Sequence, residues 1–101
     1  MRVALGKLST LEVGRARVVE RIIVVLSADG VRAYWNECKH LPAPLNAGGG
    51  DVEVSDALVC RSHGARFTLE EGLCFSGPCR GKFLDAVALV TEGDELYALV
   101  P

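Results

Sequence analysis

Residues 38–63 constrain this chain more than any other stretch. They open with Cys38-Lys39-His40 and close with Cys60-Arg61-Ser62-His63, and nineteen residues separate His40 from Cys60. Each end offers one sulfur and one imidazole, so the fold must bring two short segments together if the four donors are to share one centre. Thiolate is a soft donor and imidazole an intermediate one, a pair that suits iron or zinc. Both histidines of the chain are taken up by this pattern. A chain of 101 residues buries only a modest core, and a bound inorganic centre would add stability to it.

The flanking sequence reads as short strands. Arg17 to Ser27 holds the run Ile22-Ile23-Val24-Val25-Leu26, which is short, β-branched and bounded by charge, so it reads as a buried strand. Ala28-Asp29-Gly30 is a turn signal. Val31 to Asn36 then alternates, with Val31, Ala33 and Trp35 on one face and Arg32, Tyr34 and Asn36 on the other. The two runs predict a hairpin that delivers Cys38 to its tip. Leu41 to Gly50, with two prolines and three consecutive glycines, is a loop. Val52-Glu53-Val54 reads as a short edge strand, and Ala57-Leu58-Val59 as a strand ending at Cys60. Leu73-Cys74-Phe75 is another strand, followed by the turn Ser76-Gly77-Pro78. Segments 85–90 and 96–100 predict a closing hairpin across Glu92-Gly93-Asp94. Ser9-Thr10-Leu11-Glu12 has the form of a capping box and predicts one helical turn or a tight turn. Regularly spaced strands with no long helical period predict an all-β antiparallel sandwich or barrel, a single domain over residues 1–101.

Charge and hydropathy narrow the function classes. A formal net charge of −2 is too near balance to suggest general nucleic-acid or membrane binding. No run approaches the length of a membrane span, and the first residues carry no leader pattern, so a cytoplasmic protein is expected. In a reducing compartment four cysteines read as metal ligands or buried thiols before disulfides.

The C-x-H and C-x-x-H pair resembles the ligand loops of the Rieske family, which hold a [2Fe–2S] cluster. The resemblance continues past the ligands through Gly64-Ala65-Arg66-Phe67, Gly72-Leu73-Cys74 and Gly77-Pro78-Cys79. It implies a Rieske-like fold with a cluster-binding part at about residues 36–81. Cys38 and Cys60 would hold the inner iron, and His40 and His63 the outer one. Leu41, Gly64, Ala65, Gly77 and Pro78 would shield the cluster, with Pro78 stiffening its loop. A Cys2His2 zinc site remains the rival, although common zinc fingers pair like with like whereas each loop here mixes the two donors.

Departures from the family pattern carry expectations of their own. High-potential members add a disulfide between the ligand loops; the matching positions here are Ala43 and Ser62. They also place a serine and a tyrosine hydroxyl near the cluster; here those positions are Ala65 and Phe67, which carry no side-chain donor. Hydrogen bonds to sulfur stabilise the reduced cluster, so a midpoint near the low end of the Rieske range, roughly −150 mV, is expected. Cys74 and Cys79 are expected as buried free thiols beside the cluster, with a local disulfide as the alternative. Lys39, Arg61, Arg66, Arg80 and Lys82 predict a basic collar that steers an acidic partner.

A cluster with no open coordination position implies electron transfer rather than substrate chemistry. No dinucleotide fingerprint is present, and no histidine is left for a second iron. The resemblance therefore implies a small Rieske-type ferredoxin, an electron carrier and not itself an enzyme. It would pass one electron from a reductase to an oxygenase or other redox enzyme. A small subunit of a larger reductase, similar to that of nitrite reductase, is the second reading, and a redox sensor or zinc-bound interaction module the third.

Overall fold

The computed structural model describes residues 1–38 and 43–101. Lys39, His40 and Leu41, which carry expectations above, lie outside the described residues.

The architecture grows from a three-stranded antiparallel sheet of β2 (Ala16–Val19), β3 (Ile22–Ser27) and β4 (Gly30–Trp35), in that order. Side chains alternate across a strand, yet β3 is apolar at every one of its first five positions. The two cores of the molecule explain this. Ile22 and Val24 of β3 and Ala33 of β4 enter one core, while Ile23, Val25 and Tyr34 enter the other. Each fully buried aliphatic side chain contributes roughly 1.5–3 kcal/mol, so the unbroken run anchors both sides of the sheet.

The first core is closed by β1 (Arg2–Lys7), β9 (Ala88–Glu92) and β10 (Glu95–Leu99), paired antiparallel in the order β1-β10-β9. Leu5, Leu96 and Ala98 come from this sheet. The second core is closed by β5 (Glu53–Val54), β6 (Leu58–Val59), β7 (Arg66–Phe67) and β8 (Cys74–Ser76), a four-stranded antiparallel sheet in sequence order. Leu58, Phe67 and all four cysteines lie in this core. Among the described residues the expected all-β antiparallel architecture is therefore present as three sheets, with the central one serving two cores. Chain segments stitch the layers: the Trp35 amide donates to the Asp85 carbonyl at 2.9 Å, the Val87 amide to that of Ala33 at 2.9 Å, and Ala16 bridges Val52.

The β3–β4 hairpin forms as predicted, with Ser27 opposite Gly30. The buried strand expected at Ile22–Leu26 is β3. Three features go beyond the sequence expectation. Ala16–Val19 is a strand of its own, because the chain reverses at Glu20-Arg21 and pairs Val19 with Ile22. Glu20 takes φ 55°, a left-handed conformation that no glycine or asparagine announces. The turn expected at Ser9–Glu12 is a 3-10 turn over Leu8–Thr10, but without the capping-box pairing: the Ser9 amide and hydroxyl both bind the Asp94 carboxylate across the molecule. Finally, Arg2–Lys7 is a strand that pairs with β10, because an exposed edge was available to a half-apolar segment.

Candidate metal centre

Two loops carry the candidate ligands. The first leaves β4 and reaches Cys38, whose amide donates to the Ala43 carbonyl at 2.8 Å and so closes the loop. Asn36 braces its far side, accepting the Leu45 amide at 2.7 Å and donating to Asn46 at 2.7 Å. The second loop leaves β6 at Cys60. The Cys60 amide donates to Ala65 and the Gly64 amide returns to the Cys60 carbonyl, both at 2.8 Å. The loops are joined directly: the Arg61 amide donates to the Leu45 carbonyl at 2.9 Å. The Arg61 guanidinium then reaches into the glycine-rich segment, donating to the carbonyls of Ala47, Gly49 and Asp51 at 2.9, 2.7 and 3.1 Å.

Cys38 and Cys60 are buried, 2% and 1% exposed, in the same core and close enough for Cys38 to act on the Cys60 thiol. Neither is in a disulfide. Burial pushes the Cys60 thiol up, and the nearby Cys38 adds to that, while the backbone amides of Ser62 and His63 pull it down. Two amides aimed at one sulfur make a cradle for a thiolate rather than a thiol. Metal binding would replace the proton that burial otherwise retains. His63 is exposed, three residues past Cys60 and just before the left-handed Gly64. Sulfur donors are thus inside and the described imidazole is at the surface, which fits a cluster held by sulfur within and nitrogen without.

The third loop lies over the second. Gly77 adopts φ 103°, and a β-carbon there would sit 2.8 Å from the Ala65 α-carbon, so only glycine permits this approach. Pro78 is exposed, and Cys79 turns back inside at 2% exposure. The Cys79 sulfur donates to that of Cys74 at 3.1 Å, and Cys74 donates to the Ser76 carbonyl at 3.3 Å. Both remain free thiols, as expected. Burial, together with the neighbouring Cys74 and Cys38, pushes the Cys79 thiol up to about 12. Ala65 and Phe67, the hydroxyl-free positions, are fully buried in the same core.

Of the expected site residues, the structure brings Cys38, Cys60 and Ala65 into one buried neighbourhood, with Gly77 seated on Ala65 from outside and Gly64, Pro78 and His63 also on its outer side. His40 and Leu41 lie outside the described residues. The basic collar is altered. Arg61 is committed to loop carbonyls and Arg66 donates to the Ser55 carbonyl at 2.7 Å, so both serve the fold, while Arg80 and Lys82 are exposed and Lys39 is outside the described residues. Sequence reasoning missed the loop-tying role of Arg61. Its signal was the three consecutive glycines, whose unpaired carbonyls need a donor.

The sequence profile of the Rieske [2Fe-2S] domain matches residues 2–99. The chain belongs to the Rieske [2Fe–2S] family. Its cofactor is a [2Fe–2S] cluster, and its function is one-electron transfer. Among solved structures it is similar to the ferredoxin of carbazole 1,9a-dioxygenase from Nocardioides aromaticivorans IC177, at 28% identity and a TM-score of 0.71, over 96% of this chain and 95% of that one. A chain from the complex of reduced oxygenase and oxidized ferredoxin in carbazole 1,9a-dioxygenase matches at 22% identity and a TM-score of 0.73, covering 96% of this chain and 91% of that one. The terminal oxygenase of carbazole 1,9a-dioxygenase from Novosphingobium sp. KA1 shares the fold at 13% identity and a TM-score of 0.77, with 98% of this chain covering 29% of that one. No curated protein matches the chain. Among the described residues no helix is long and apolar enough to cross a membrane.

Proposed function

We propose that this Rieske chain is the ferredoxin of an oxygenase system, taking one electron from a flavin-dependent reductase and giving it to a terminal oxygenase. The observation that carries this is the 28% identity extending over 95% of an oxygenase-system ferredoxin. We assign Cys38, His40, Cys60 and His63 as the cluster ligands, on the donor set and on the sulfur cradle around Cys60. Bound there, a [2Fe–2S] cluster supplies a single-electron couple with no open coordination position.

The chain's own residues do the rest. Cys38 and Cys60 present sulfur inside an apolar core, and the amides of Ser62 and His63 stabilise the charge on Cys60. Arg61 fixes the distance between the two ligand loops. Gly77 seats the third loop on Ala65, so that Pro78 covers the site and excludes water. His63 lies at the surface, where a partner can approach. The reducing conditions that keep Cys74 and Cys79 as thiols fit the cytoplasmic location we propose.

Stopped-flow mixing of the reduced protein with a Rieske-type terminal oxygenase tests the assignment. Oxidation at a rate that saturates with oxygenase concentration is expected. Transfer to a nitrite reductase large subunit but not to any oxygenase would overturn it.

A further inference from the structure

We propose that Cys79 is a third functional cysteine of the centre: a non-ligating thiol whose S–H donates to the ligand sulfur of Cys38. It would take the place of the hydroxyl donors that this chain lacks at Ala65 and Phe67. The inference deepens the cluster assignment and rests on Cys38 being a ligand.

Four observations converge on it. All four cysteines share one buried core, each no more than 2% exposed. The Cys79 sulfur lies 3.1 Å from that of Cys74, and Cys38 is near enough in the same core to act on the Cys79 thiol. The backbone holds it there: Gly77 is pressed onto Ala65, the Arg80 amide returns to the Gly77 carbonyl at 3.3 Å and the Lys82 amide to the Cys79 carbonyl at 2.9 Å. Cys74, in turn, is the cross-strand neighbour of Phe67, so the thiol pair occupies the surroundings of one of the two missing hydroxyls.

The direction of the hydrogen bond follows from charge. The Cys79 thiol has two sulfur neighbours to choose between, Cys74 at 3.1 Å and Cys38. Once Cys38 is a thiolate it is the stronger acceptor of the two, and one S–H rotation redirects the proton from Cys74 to Cys38. The Cys74 proton is already committed to the Ser76 carbonyl, so Cys74 does not compete as a donor. Reduction adds negative charge at the ligand sulfurs, so the bond is stronger in the reduced state and the potential rises.

Redox titration and infrared spectroscopy of the iron-loaded protein test this. Cys79→Ala shifts the reduction equilibrium about three- to tenfold toward the oxidised form, a fall of roughly 30–59 mV at 59 mV per decade for one electron. Cys79→Ser, which keeps a donor, recovers most of that shift. Normal iron content and visible spectrum in both variants, with equal potentials, overturn the proposal and leave the ligand assignment standing. Loss of iron from Cys38→Ala tests the ligand assignment separately. Should Cys79→Ala fail to load, the infrared measurement decides on other protein. In Cys74→Ala, Cys79 is the single non-ligating thiol, so the S–H stretch belongs to it. Its band moves to lower frequency on reduction if the bond exists, and a band unmoved by reduction overturns the proposal.

Discussion

Replacing Gly77 by alanine strikes the contact that seats the third loop. Two costs arise. The residue sits at φ 103°, where an L side chain is strained by about 1–3 kcal/mol. The new β-carbon would lie 2.8 Å from the Ala65 α-carbon and 3.2 Å from its β-carbon. Ala65 is fully buried and its carbonyl holds the Cys60 amide, so it cannot retreat without moving the ligand loop. Overpacking of this kind costs about 1–3 kcal/mol. Gly81→Ala supplies the control: its φ is 91°, but a β-carbon there meets nothing within 4 Å. The difference between the variants isolates the packing cost. Trp35, the single tryptophan, reports denaturant unfolding of the iron-loaded protein, and loss of visible absorbance reports cluster release. Gly77→Ala should unfold more easily than Gly81→Ala by about 1–3 kcal/mol, and should bleach at least fivefold faster in air. Equal stability and equal bleaching in the two variants would refute the claim that this loop is seated on Ala65.

Other positions give sharp expectations. Arg61→Met removes three bonds to loop carbonyls and should cost about 1.5–3 kcal/mol in denaturant unfolding, with lower iron retention, although the Arg61 amide bond persists. Glu20→Gly relieves a left-handed turn and should stabilise by up to about 1 kcal/mol in the same assay. Burial pushes the Tyr34 hydroxyl up to about 12 from 10.0, and it donates to the Leu69 carbonyl at 2.7 Å. The folded state therefore holds this proton longer than the unfolded chain does. Its contribution is complete below pH 10, is lost between pH 10 and about 12, and amounts to about 2–3 kcal/mol. Tyr34→Phe should flatten the fall in stability over that window, read by unfolding midpoints at stepped pH.

Much of the site was legible because its chemistry is local in sequence: Cys-x-His and Cys-x-x-His announce themselves without the fold. The β3–β4 hairpin was legible for a similar reason, since Asp29-Gly30 is a turn by composition. What escaped depended on distant partners. The reversal at Glu20 went unread, because no glycine or asparagine marks its left-handed turn. Ser9 had a local capping partner in sequence, yet Asp94 lies nearer in the fold. Arg61 and Arg66 read as free cations until loop carbonyls were brought to them. Cys79 and Cys38 come together across the whole centre, and no spacing rule connects the two.

Pulsed EPR of the dithionite-reduced protein, with iron and acid-labile sulfide counted in the same sample, tests the central claim most directly. Two irons and two sulfides per chain, with nitrogen couplings from two imidazoles that fall to one in His63→Cys, are expected. A colourless sample holding one zinc and no sulfide, or a cluster signal without imidazole couplings, would contradict the assignment of Cys38, His40, Cys60 and His63.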